Sequence, residues 1–129
     1  MTPFGQLRDM RDPQKLNVVP AAAELAVAVY RATANFPREE RFGLTAQIRR
    51  SAISIGSNIV EGCHRQGNRA FLAFLHQALG SAAELEFQLR IALELGFADA
   101  LALDSVRDLA NKVKRMLIKL IASLRTKGD

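Results

Sequence analysis

Apolar residues recur at helical spacing through most of the chain. From Pro20 onward, Leu25, Val29 and Thr33 fall on one face of an alanine-rich stretch, which predicts a helix over residues 20–34, ending before Pro37. Pro20 suits the first helical position, where a missing N–H has no partner to lose. In residues 44–64, Ile48, Ala52, Ile55 and Ile59 recur at steps of four, three and four. That is the seam of a bundle helix. Ile53 and Val60 form a second apolar stripe on the same helix, so it has two packing partners. A third helix is predicted over 69–95, with Asn68 as its cap. Phe71, Phe74/Leu75, Ala78, Ala82, Leu85, Leu89 and Ala92 form its seam, and Gly96 stops it. A fourth follows over 100–126, capped by Asp99. Its seam is Val106, Ala110, Val113, Leu117, Leu120 and Leu124. Phe36 and Phe42, in the first connector, are expected to tuck under the bundle as plugs. No stretch alternates with the period of a strand. Short connectors between four helices make neighbours antiparallel. The expected architecture is all-α, an antiparallel up-down four-helix bundle over 20–126, with an N-terminal arm (1–19) and a short tail (127–129).

Composition narrows the class. Of 129 residues, 49% are hydrophobic and 24% charged, which excludes a disordered chain. Cys63 is the single cysteine, so no intramolecular disulfide forms. The first residues lack the apolar core of a secretion signal. The longest apolar stretch is interrupted by Pro20 and Glu24 and is too short to span a bilayer. A cytoplasmic location without membrane contact is expected.

Chemistry for a reaction is sparse. Cys63 and His64 are adjacent and diverge on a helix, and His76 has no carboxylate motif before it, so no metal site or other cofactor is expected. Ser51, Ser54 and Ser57 have no histidine at catalytic spacing, and no phosphate-cradling glycine loop is present. An enzyme is the least expected class. One polar feature has two readings. Gln47, Ser51, Ser54, Asn58, Glu61 and Arg65 share a broad face of the second helix, and Ser81, Glu84 and Gln88 form a matching stripe on the third, where Gly80 permits close approach. The pair is either a ligand-binding cleft or, as we favour, a hydrogen-bonded network fixing helix register.

Charge is uneven. The net charge is +5. Residues 41–69 hold Arg41, Arg49, Arg50, Arg65 and Arg69 against Glu61, a net of +4. Residues 107–129 hold seven cations against two carboxylates, a net of +5, whereas 70–106 hold one cation against five carboxylates, a net of −4. Lys112, Arg115 and Lys119 share one face of the fourth helix. Such a stripe follows a phosphate backbone, or it is a solvated face complementing the helix dipole. No aromatic is interleaved with it, so base stacking is not indicated.

Residues 36–52, Phe-Pro-Arg-Glu-Glu-Arg-Phe-Gly-Leu-Thr-Ala-Gln-Ile-Arg-Arg-Ser-Ala, run on into Ser54-Ile55-Gly56-Ser57-Asn58-Ile59-Val60-Glu61-Gly62. This string resembles the bacterial four-helix-bundle family encoded in 23S rRNA intervening sequences. Gly80-Ser81-Ala82-Ala83-Glu84-Leu85-Glu86 and Met116-Leu117 resemble its third and fourth helices. The likeness covers roughly residues 14–126. Val19-Pro20 stands where the family often has Trp-Gln. The resemblance implies a ring-like homopentamer and no enzymatic activity. It also implies kinship with the accessory protein of diversity-generating retroelements, which binds nucleic acid and works with a reverse transcriptase. The expected partners are therefore other copies of the chain, RNA or another polyanion, and a reverse transcriptase or other protein. Ile53 and Val60 are the candidate oligomer contacts. Arg41, Arg49, Arg50, Arg65, Arg69, Lys112, Arg115 and Lys119 are the candidate polyanion contacts. The alternative is an oligomeric scaffold that recruits only protein.

Overall fold

The computed structural model describes residues 11–127. Residues 1–10 of the expected arm, and 128–129 of the tail, lie outside them. Among the described residues four helices follow one another: α1 (Val18–Ala32), α2 (Leu44–Cys63), α3 (Gly67–Glu94) and α4 (Ala100–Lys127). A single 3-10 turn, Arg38–Glu40, sits in the first connector. The close neighbours are α1–α2, α2–α3, α3–α4 and α4–α1, so the helices run around a square in chain order. The result is the expected up-down bundle, with no strand among the described residues.

The core is built from the predicted seams. Leu25, Val29, Ile48, Ile55, Ile59, Phe71, Leu75, Leu85, Leu89, Val113, Leu117 and Leu124 are fully enclosed. Each such side chain contributes on the order of 1.5–3 kcal/mol relative to an exposed one. Two apolar assignments change. Ile121, not Leu120, is buried in the core at that turn of α4, while Leu120 packs at the edge of the core. Phe36 is buried as expected and meets the Phe97 ring edge-on at 5.8 Å. Phe42 is not a plug but is 85% exposed, because the 3-10 turn ahead of it carries it outward.

The helix ends follow local chemistry. Asp99 caps α4, its Oδ1 accepting from the Ala102 N–H at 2.8 Å. Leu44 at the start of α2 donates its N–H to Glu40 Oε1 at 3.0 Å, so the connector carboxylate takes the capping role. Gly96 lies at φ 72° and closes α3: its N–H reaches the Leu93 carbonyl, and the Phe97 N–H reaches that of Ala92. That paired pattern is the Schellman motif. Helix α1 begins at Val18, two residues before Pro20. Proline is tolerated there because none of the first-turn N–H groups has an intrahelical acceptor. Helix α3 begins at Gly67, at φ 79°, so Asn68 is a buried residue of the first turn rather than the cap.

Two glycines exchange roles. A Cβ on Gly80 would meet nothing within 4 Å, so this residue makes no close approach. The close approach is at Gly62, where a Cβ would lie 2.8 Å from Phe74 Cβ and 2.9 Å from Phe71 Cδ1. Residue 62 must be bare for α2 and α3 to converge at their shared turn.

Candidate functional site

Helix α2 has two open flanks of opposite character. Toward α1 lies an apolar groove of about 490 Å³, floored by Ala22, Ala26 and Gly56 and rimmed by Val19, Ile53 and Val60. Its depth comes from small side chains. A Cβ placed on Gly56 would sit 3.6 Å from that of Ala22. Ile53 is 47% exposed and Val60 half-buried, so the second apolar stripe lies on this groove and has no cover among the described residues.

Toward α3 lies a polar cleft of about 350 Å³, lined by Gln47, Arg50, Ser51, Ser54, Ser81, Glu84 and Gln88. At its base the Ser54 and Ser81 hydroxyls share a hydrogen bond of 2.9 Å. Asn58 Nδ2 donates to the Ser54 carbonyl and hydroxyl, at 2.9 and 3.0 Å. The two predicted stripes thus face each other, with Ser54, Asn58 and Ser81 bonded together. Gln47 and Glu84 line the cleft above them. Gln88 Oε1 is enclosed without a partner among the described residues. Glu61 does not join this network. It lines the end of the apolar groove and pairs with Arg65 one turn on, because an exposed carboxylate four residues before an arginine reaches it easily.

The candidate polyanion residues are not gathered into one patch. Arg49 is committed to the bundle. Its Nε donates to Thr33 Oγ1 at 2.9 Å, its Nη2 to the Tyr30 carbonyl at 3.3 Å, and its guanidinium lies 4.6 Å from the Tyr30 ring centre. A cation there also complements the C-terminal dipole of α1. Arg41 lies over the exposed Phe42 ring at 4.7 Å. Arg50 is exposed at the polar cleft. Arg65 covers Phe74 at 5.1 Å while pairing with Glu61. Arg69 begins α3 on the same end of the bundle as Arg65. Lys112 and Arg115 are exposed beside α1, in a depression they share with Glu24, Asp104 and Asp108. Lys119 lies further along, beside Leu16 and Val18.

The segment before α1 adds contacts that sequence periodicity does not reveal. Residues 12–16 turn on the Asp12 carbonyl, which accepts from Lys15 and Leu16. Arg11 Nη1 donates to the Arg65 carbonyl at 3.3 Å. Cys63 sits against this turn. Burial, reinforced by the Asp12 carboxylate, pushes its thiol up to about 11, so at neutral pH it is not a thiolate nucleophile. Among the described residues no three His, Cys, Asp or Glu side chains converge as a metal-binding set. No described helix is long and apolar enough to cross a membrane.

Four antiparallel helices around one apolar core, with an uncovered small-residue groove on one flank, define the class: an all-α up-down bundle. The chain belongs to the 23S rRNA-intervening sequence protein family, whose model matches residues 14–119. It is similar to a crystal structure from Bacteroides thetaiotaomicron VPI-5482, described as a protein with unknown function from the S23 ribosomal protein family. That likeness has a TM-score of 0.73 at 28% identity, over 81% of this chain and 97% of that one. No curated protein matches the chain.

Proposed function

We propose that this protein is a non-enzymatic, homo-oligomeric adaptor that grips RNA or another polyanion. The observation that carries the oligomer is the α1–α2 groove: an apolar surface, rimmed by Ile53 and Val60, that none of the described residues covers. Closed rings arise when one surface of each copy meets a different surface of the next. Exposed Phe87 and Ile118, on the α3 and α4 side across the bundle, offer that second surface. The number five comes from the resemblance read over residues 36–62. Support for a polyanion partner comes from the net charge of +5 and from the family's tie to a ribosomal RNA insertion. A ring also multiplies weak single-copy contacts by avidity.

A titration of labelled 23S-derived RNA against the protein, repeated at rising salt, tests this reading. Binding that weakens steeply supports it, since the logarithm of affinity falls in proportion to the phosphates contacted. No affinity at low salt favours the second reading, a scaffold that recruits protein alone. That reading draws on the bundle end where Phe42 and Leu101 are 85% and 83% exposed.

A further inference from the structure

The net charge is not spread along the bundle; it is concentrated at one end. The up-down topology brings the turn before α1, the α2–α3 connector and the C-terminal turns of α4 to the same end. Residues 11–20, 61–72 and 117–126 there hold six cations, Arg11, Lys15, Arg65, Arg69, Lys119 and Arg125, against Asp12 and Glu61, a surplus of four. At the opposite end, residues 29–46 and 88–107 hold five cations against five carboxylates. Several of those charges are engaged locally: Glu40 and Asp99 cap helices, and Arg90 and Arg107 pair with Glu94 and Asp104 at 3.5 and 3.7 Å, whereas at the basic end Arg65 pairs with Glu61.

The sides of the bundle are poorer candidates. The α1–α2 flank is apolar. The α2–α3 flank carries Glu84. Between α3 and α4, Lys114 is held by Glu86 at 3.2 Å. Along α4 and α1, Lys112 and Arg115 share their depression with three carboxylates. At the basic end, by contrast, Lys119 and Arg125 are exposed and make no ion pair among the described residues. Arg11 donates to the Arg65 carbonyl there, and its Nε is buried without a partner among the described residues.

We infer that RNA is bound end-on, its phosphate backbone lying across the end of the bundle where α2 gives way to α3, and not along the side of α4. This rests on the adaptor reading above. Two helices side by side span about 20 Å, so the six cations act as one patch at low salt, where the Debye length is about 30 Å, and lose coherence near physiological salt, where it is about 8 Å. Side-by-side packing through the α1–α2 groove leaves both ends open. Cyclic symmetry then places every basic end on the same face of the ring.

Two double variants carry the same change in charge: Lys119→Glu with Arg125→Glu at the basic end, and Arg38→Glu with Arg90→Glu at the opposite end. All four positions are exposed, and circular dichroism with sedimentation checks that fold and assembly persist. Anisotropy with a labelled RNA duplex should show the basic-end variant binding about tenfold or more weakly, with a salt slope shallower by about 2. The opposite-end variant should stay within about twofold of wild type. Equal losses in both overturn the end-on assignment while leaving the adaptor reading intact. No binding by wild type at low salt overturns both. Preference for phosphatidylserine vesicles over RNA also overturns it.

Discussion

The two flanks of α2 lie on either side of the same helix, one toward α1 and one toward α3, and they pose opposite physical problems. The α2–α3 flank is polar, and part of it answers itself: Ser54 bonds to both Ser81 and Asn58, while Gln47, Arg50 and Glu84 line the cleft at exposed positions. The α1–α2 flank is apolar and made of small residues, so neither water nor its own side chains satisfy it. A polar flank left open costs little. An apolar groove left open forgoes a contribution that the proposed second copy would supply. On the proposed reading, register control falls on one side of α2 and assembly on the other.

Four experiments test that division, from the largest effect to the smallest. Ile53→Glu puts a charge on the rim of the apolar groove, and light scattering should show the assembly fall to single subunits of 14.2 kDa while far-UV circular dichroism is retained. If assembly is unchanged, the α1–α2 groove is not the interface. Gly62→Ala forces a methyl group against Phe71 and Phe74 at the turn end of the polar flank. Denaturant melts should show a loss of about 1–3 kcal/mol, as overpacking gives. Arg49→Ala removes the tie from α2 to the end of α1, for an expected loss of about 1–2 kcal/mol. A double-mutant cycle of Ser54→Ala and Ser81→Ala should return a coupling of about 0.5–1.5 kcal/mol with no change in oligomer mass. A coupling near zero would remove the register role from the polar flank.

Much of the fold was legible because helical signals are local. Period identifies seams, a single Asp99 caps α4, and a single Gly96 closes α3. The limits are equally physical. Leu120 and Ile121 are both apolar and differ by about 100° around the helix, so period alone does not choose between them. Phe42 has the side chain of a core residue, but the direction of a connector is set by backbone turns that composition does not encode. Gly62 and Gly80 look alike in sequence, and only the approach of α3 to α2 tells them apart. The candidate site was half legible. The facing polar stripes and the exposed Ile53 were readable from spacing. The basic end was not, because its charges come from three separate segments that a helix-by-helix tally never adds together. Arg11, Lys15 and Arg125 were not singled out for that reason, and Arg49, chosen for its charge, also fastens α2 to the end of α1.

The account stands on the claim that the α1–α2 groove is covered by a second copy. Sedimentation equilibrium of the wild-type chain, diluted through the micromolar range, measures this directly. The prediction is one species at a fixed multiple of 14.2 kDa that persists on dilution. A stable, monodisperse subunit of single mass at every concentration would contradict it.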